Sequence, residues 1–408
     1  MMDSYLMSLQ LRERKMTELL APAGDLDKLK IAIIYGADAV FIGGKQFSLR
    51  ANASNFTKED LIEGCKFAHD RGKKVYVTTN VIPHQKDKEG LIEYLKILEE
   101  AKVDAIIAAS PLIINTALKH TNLEVHISTQ QSALNIPTVN YWYNKGATRV
   151  VLGRDIDLND IEHITKHVDA EIEVFIHGGM CAGYSGRCSL SNHLTNRDAN
   201  RGGCAHTCRW FFELQKDGEK EADIPFSMGS KDLSAVKEIT RLMDIGVSSL
   251  KIEGRMKSLH YIATVVNTYR RIIDEYTETG AIKNYELYEE MLKNAENRET
   301  SHGFFYGLPT KDQQIYEKRS ERVMQNFVGL ILDYNEETKY ATVETKNVFV
   351  LEDLEVFSPK HASKTFLNTS MMNSNQEVIT RAARAREKIQ VYIPFKVEPF
   401  DMLRAKRT

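Results

Sequence analysis

The chain has 408 residues, 42% hydrophobic and 27% charged, with a formal net charge of -2. This is ordinary globular composition, long enough to bury a large core and to form one large domain plus a smaller one. It excludes a membrane helix, because no apolar run approaches the ~20 residues one needs, and it carries no global basicity that would announce nucleic acid.

The first residues, MMDSYLMSLQLRERKMTELL, lack the basic stretch and long apolar core of a secretory signal. Residues 1–16 read as an N-terminal extension, and the cytoplasm is the expected compartment. From residue 17 onward, short apolar runs alternate with stretches of helical length. Nine runs read as strands: ELLAPAG (18–24), DAVFIGG (38–44), KVYVTTN (74–80), DAIIAAS (104–110), EVHISTQ (124–130), RVVLGRD (149–155), EIEVFIHG (171–178), PFSMGSK (225–231) and SLKIEGR (249–255). The helices between them show the expected punctuation. In TKEDLIEGCKFAHDRG, Thr57 and Asp60 are placed as a capping box, Leu61, Cys65 and Ala68 share a face, and Gly72 follows as a stop. Repeated βα units of this number predict an α/β fold, a TIM-type (β/α)8 barrel over residues 17–300. Nine strands are one too many, so PFSMGSK is assigned to an insertion or loop.

Alternation along the strands predicts which side chains face inward. Helices cover the outside of such a barrel, so the apolar sets should face out and the polar sets should line the mouth at the C-terminal strand ends. Asn80, Gln130, Arg154, His177, Lys251, Glu253 and Arg255 are the candidates on this ground. The competing expectation is a satisfied polar network inside the barrel.

Residues 177–222 form a cysteine-rich insertion. Four of the five cysteines fall in it, spaced Cys181-x6-Cys188-x15-Cys204-x3-Cys208, among Gly178, Gly179, Gly183, Gly186, Gly202 and Gly203. Only the last pair has zinc-finger spacing. Glycine-rich loops with four thiols also suit an iron–sulfur cluster, since the backbone can wrap a bulky group and aim N–H groups at its sulfurs. Iron–sulfur, zinc, and buried thiols or redox pairs all remain open on spacing alone. Arg187, Arg201, Arg209, His177 and His206 lie close enough in sequence to hold an anionic substrate beside such a site. Cys65, on the apolar face of a helix, reads as core.

From Leu259 to about Arg298 the pattern is helical. After NRETSHGFFYG (297–307) the texture changes, and residues 327–359 read as strand, turn, strand, strand with the turn at Asn335–Thr338. Residues 310–408 are expected to form a small C-terminal β-barrel-like domain with a basic tail. From Arg381 onward eight basic residues stand against three acidic ones, and the simplest reading is a solvated face.

The segment EVFIHGGMCAGYSGRCSLS (173–191) resembles the signature of the collagenase-like proteins of peptidase family U32. The resemblance extends to ELLAPAGDLDKLKIAIIYGADAVFIGG (18–44), NRDANRGGCAHTCRW (196–210) and SLKIEGRMKS (249–258). Several members of that family are hydroxylation proteins rather than peptidases, acting on tRNA, ribosomal RNA or ubiquinone. The resemblance implies a [4Fe-4S] cluster on Cys181, Cys188, Cys204 and Cys208, prephenate as co-substrate, and hydroxylation without dioxygen. The C-terminal β domain and the SHGFFYG region resemble the tRNA-hydroxylating branch, which makes 5-hydroxyuridine at the wobble position. A paralogous family member is an expected partner besides tRNA. On this reading Arg154, Lys251 and Arg255 would bind the prephenate carboxylates, with Asn80 and Gln130 also lining the site, and His177 and Glu253 would move protons.

A peptidase is the competing class. The chain lacks HExxH and G-x-S-x-G, so a zincin or an α/β-hydrolase is not expected. A cysteine peptidase would need a thiolate beside a histidine, and Cys181 four residues after His177 offers one such pairing. A scaffold with structural zinc is a third class.

Overall fold

The computed structural model describes residues 17–48, 56–223, 225–295, 298–315 and 325–406. The expected extension 1–16 lies outside them. Eight parallel strands form the first domain: β1 Glu18–Pro22, β2 Ala39–Gly43, β3 Lys74–Thr79, β4 Ala105–Ala108, β5 Glu124–Ile127, β6 Arg149–Val151, β7 Glu171–Gly178 and β8 Ser249–Ile252. Each pairs with the next from β1 to β7, β8 pairs with β1, and β8 closes the ring on β7. Each strand is followed by a helix: α1 Leu26–Ile34, α2 Lys58–His69, α3 Leu91–Glu100, α4 Pro111–His120, α5 Ile136–Asn144, α6 Leu158–Lys166, α7 Ile239–Ile245 and α8 Leu259–Thr279. This is the expected (β/α)8 barrel. α2 starts at its expected capping box, with the Asp60 N–H donating to Thr57 Oγ1 and the Thr57 N–H to Asp60 Oδ2. Its Cys65 is buried, and burial pushes the thiol up to about 12, as for an inert core residue.

The ninth candidate strand is outside the barrel, as expected. Phe226–Ser227 pairs antiparallel with Phe211–Phe212 in a small flap. An unforeseen rim is also present. Asp232–Ser234 runs antiparallel to the end of β7 and carries Thr300–Ser301 beside it.

Polar side chains inside the barrel do not all line its mouth. Glu18, Arg149, Glu171 and Ser249 open their strands, so they lie at the N-terminal end. There Arg149 Nη1 bonds Glu18 at 2.6 Å and Nη2 bonds Glu171 at 2.8 Å, while Tyr76 Oη and Ser249 Oγ donate to Glu18. One layer up, Glu173 is wholly buried and meets Arg149 at 3.3 Å and Lys251 Nζ at 2.7 Å. Burial alone would raise the Glu173 carboxyl, but Lys251 and Arg149 outweigh it and hold the group below its usual range. An apolar layer of Leu20, Phe41, Ile107 and their neighbours fills the rest.

The second domain is an antiparallel half-barrel. Its main strands are β9 Gln325–Tyr334, β10 Tyr340–Thr345, β11 Asp353–Phe357, β12 Lys364–Leu367, β13 Lys388–Tyr392 and β14 Met402–Lys406, in the order β12-β11-β14-β9-β10-β13. The turn falls where expected: Asn335 Oδ1 accepts the N–H groups of Glu337 and Thr338. The expected solvated basic face holds for Arg381, Arg384, Arg386, Lys388 and Lys396, which are exposed, and is corrected at Arg404. Residues 402–406 are β14, an interior strand, and residues 401–405 are all buried. One face packs on the half-barrel core and the other on the first domain, so charge counting misreads a strand covered on both sides. Arg404 stacks on Phe357 at 3.5 Å and donates to Thr264 of α8 at 2.7 Å. Lys396 pairs with Glu336.

The same interface buries Tyr35, whose hydroxyl donates to the carbonyls of Phe357 and Phe400, and stacks His260 of α8 on Phe327. Burial, with Arg404 adding to it, takes His260 down to about 3. A histidine held neutral in the folded state costs stability below its unfolded pKa of about 6.5, because only the unfolded chain takes the proton. Stability contributed above pH 6.5 is therefore lost as pH falls toward 3. By pH 5 the loss from this residue is about 2 kcal/mol, from 1.5 pH units at 1.36 kcal/mol each. Unfolding followed at pH 7 and pH 5 should show His260→Gln losing about 2 kcal/mol less than the parent. Equal losses would place the proton elsewhere.

Candidate functional site

The cysteine segment begins where β7 ends, and the end of β7 is irregular. Up to Lys251↔Phe175 the β7–β8 register is even, then it slips, so that Ile252 pairs with His177. This bulge skips Ile176 and reverses the alternation beyond it. His177 therefore shares the outward face of Ile252 instead of the inward face of Glu173 and Phe175. Its Nδ1 lies 3.2 Å from the Tyr269 hydroxyl of α8, and its ring packs against Tyr261 and Tyr269. Burial brings it down to about 3, with Lys257 adding to the shift. The expectation that His177 points into the mouth is thus corrected, and so is its fitness as a base near neutral pH. Gly178 completes the turn at φ +102°, where a Cβ would sit 2.6 Å from the Glu253 carbonyl. Only glycine fits both conditions.

Beyond Gly179 the segment crosses the C-terminal face of the barrel and is pinned at several points. The Ile82 N–H, just past β3, donates to Asn200, and Arg201 pairs with Asp87 at 2.6 Å. Past β5, Ser132 donates to the Ser185 carbonyl, and a Cβ on Gly186 would lie 2.7 Å from the Gln130 carbonyl. Past β6, Arg154 Nη1 reaches Ser185 Oγ at 3.4 Å while its guanidinium lies 3.6 Å over the Phe175 ring inside the barrel. On the rim, Asp232 takes Arg209 at 3.6 Å and Arg298 at 3.1 Å.

All four cysteines of the segment are free thiols, Cys181 and Cys204 exposed, Cys188 and Cys208 half-buried. The first turn adjoins the second, since a Cβ on Gly179 would lie 3.0 Å from Arg209 Nη2. Burial raises the Cys208 thiol, Arg209 opposes that, and the nearby Cys181 and Cys204 push it further up. Inside the segment, Ser191 Oγ accepts the Ala205 N–H and lies 3.3 Å from Thr207 Oγ1, holding the Cys204–Cys208 turn. Among the described residues, no three His, Cys, Asp or Glu side chains converge so as to hold a single metal ion.

The remaining sequence candidates divide. Arg255 is buried at the mouth, where Nη1 bonds Thr78 at 2.7 Å and Ser48 at 3.0 Å. Glu253 is half-buried near Gly179, on the side of Arg209 and Asp232. Asn80 is half-buried just beyond β3. Gln130 is buried under Gly186, with Ser128 Oγ 3.4 Å from its side-chain oxygen, and supports the turn above it. Lys251 does not reach the mouth. It is committed to Glu173, and its ammonium lies 4.5 Å over Phe41 and 5.4 Å over Phe175. Ser48, Ser185 and Asp232 were missed. Each acts by holding an arginine, a role without a spacing signature.

The family model "Peptidase family U32" matches residues 24–315, and "Peptidase family U32 C-terminal domain" matches 324–404. The chain is 44% identical over 402 residues to tRNA hydroxylation protein P1 of Bacillus subtilis, covering 96% of this chain and 95% of that one. It is 38% identical to the 23S rRNA 5-hydroxycytidine synthase of Escherichia coli, covering 64% of this chain and 40% of that one. It is 33% identical to a collagenase of Porphyromonas gingivalis, covering 71% of this chain and 73% of that one.

Proposed function

The chain belongs to peptidase family U32, and from that premise we propose that it is an RNA-modifying enzyme that hydroxylates the wobble uridine of tRNA to 5-hydroxyuridine. The observation that carries this is the near full-length similarity to a tRNA hydroxylation protein, spanning the barrel, the cysteine segment and the half-barrel together. Prephenate is the proposed co-substrate, and dioxygen is not required.

Four unpaired thiols on two adjoining, glycine-rich turns fit a [4Fe-4S] cluster held by Cys181, Cys188, Cys204 and Cys208. They fit a lone zinc ion less well, since no three ligands converge on one point among the described residues. Such a cluster supplies redox or Lewis-acid chemistry when bound. The chain's own residues do the rest. Arg255, held by the Ser48 and Thr78 hydroxyls, and Arg154, braced between Phe175 and Ser185, offer planar donors for the two carboxylates of prephenate. Glu253 is the proposed proton carrier, since His177 faces α8.

Arg154→Gln keeps length and polarity but removes the charge. Steady-state kinetics should show KM for prephenate rising ~10- to 100-fold, the range of a lost charge-assisted contact, with a smaller fall in kcat. An unchanged KM would remove Arg154 from the binding role. For the function itself, tRNA from a strain lacking this gene and any paralogue should lack 5-hydroxyuridine and regain it when the chain is expressed. Loss of hydroxycytidine from ribosomal RNA instead would move the substrate, and unaltered nucleosides in both would end the RNA reading.

The collagenase similarity keeps a peptidase in view. The pairing it would need, Cys181 activated by His177, is disfavoured because His177 is buried among tyrosines and too weak a base at neutral pH.

A further inference from the structure

A contiguous exposed apolar patch, more than a single exposed ring, marks an interaction surface. Two large aromatic side chains flank the cysteine turns: Tyr184 is 53% exposed and Trp210 is 45% exposed. The turns that carry them adjoin, since a Cβ on Gly179 would lie 3.0 Å from Nη2 of Arg209, the neighbour of Trp210. The apolar surface continues from Trp210 into the flap, where Phe211, Leu214 and Met228 are also exposed. The cysteine segment itself is basic, while the flap beyond it carries Glu213, Asp217, Glu219, Glu221 and Asp223 against Lys216 and Lys220. Residues 181–210 hold Arg187, Arg197, Arg201 and Arg209 against a single acid, Asp198. Arg201 and Arg209 are spent on Asp87 and Asp232, but Arg187 and Arg197 are exposed and make no ion pair among the described residues.

Exposed rings interleaved with unpaired arginines suit a polyanion whose bases are splayed out, because every base has a face to stack and every phosphate a charge to meet. A duplex offers neither free base faces nor a loop narrow enough to enter. Resting on the RNA reading above, we propose that Trp210 and Tyr184 form a stacking platform for unpaired bases beside the target nucleotide, with Arg187 and Arg197 on the adjoining phosphates. The platform selects single-stranded loops over helices and stays outside the chemistry.

The chain has two tryptophans, and Trp142 on α5 is 6% exposed, so changes in intrinsic emission on adding RNA report Trp210. The full chain, purified anaerobically, is titrated with an RNA stem-loop and with a blunt duplex of equal length. The stem-loop should quench the emission and the duplex should not. Trp210→Ala and Tyr184→Ala should each weaken stem-loop binding about 10-fold, the worth of one stacked base, while iron and sulfide content stay at the parent level. Trp210→Phe, which keeps a ring, should recover most of the affinity. Stem-loop binding with unchanged emission and unaltered affinity in the variants would overturn the platform and leave the RNA reading standing. Failure of the parent to bind any RNA would overturn both. If Trp210→Ala instead dissociates an oligomer in sedimentation, with RNA affinity unchanged, the face belongs to a protein partner and the proposal falls.

Discussion

Cys204→Ser should lose the metal and the hydroxylation together, by more than 100-fold in activity. Cys204 is one of four free thiols on the two adjoining turns, and the variant removes a thiolate while changing little else. A serine oxygen is a poor ligand for soft iron, and a cluster with a missing corner is labile. The check is anaerobic purification followed by a visible spectrum and iron, sulfide and zinc analysis. About four irons with matching sulfide are expected in the parent, as a cubane on four thiolates requires, and little in the variant. A Cys65→Ser variant is the control, since that thiol is buried in the core, and its metal content should equal the parent's. If Cys204→Ser kept both iron and activity, the four-thiol assignment would be wrong.

The second large effect lies at the closed end of the barrel and concerns stability. Arg149 meets Glu18, Glu171 and Glu173, and Glu173 is 0% exposed. Arg149→Met removes the cation and leaves a buried carboxylate with Lys251 alone. Breaking a buried ion network from one side costs ~3–5 kcal/mol, because the remaining charge stays desolvated. Thermal unfolding should show a fall of several degrees. A paired Arg149→Met and Glu18→Gln variant should recover part of it, since Glu18, which meets no other cation among the described residues, is then neutral while Glu173 keeps Lys251. A single variant as stable as the parent would mean that water reaches Glu173.

The barrel was legible because its signals are local. Eight apolar runs at βα spacing, with caps such as Thr57 and Asp60, carry the fold without long-range information. The four cysteines stand out in the sequence for a related reason, since residue type and glycine context mark them. Strict alternation failed at His177, which it placed in the mouth; a single skipped residue at Ile176 reversed it. A bulge depends on how two strands register, which neither strand shows alone. Alternation also cannot tell one end of a barrel from the other. Lys251 was therefore grouped with mouth residues, while its partner Glu173 ties it to the layer below. One residue of the basic stretch was misread for a third reason. Arg404 counts as a surface charge until the second domain is seen to close over it.

The placement of β14 has a consequence for how the protein is made. β11 and β9 do not pair with each other; β14 lies between them and pairs with both. On the ribosome, residues 325–357 emerge well before 402–406, so the half-barrel waits in two pieces. Until β14 arrives, Thr264 of α8 lacks the Arg404 guanidinium that bonds it in the folded protein, while His260 already has Phe327 of β9 to stack on. One short strand thus completes the half-barrel and its contact with the first domain together.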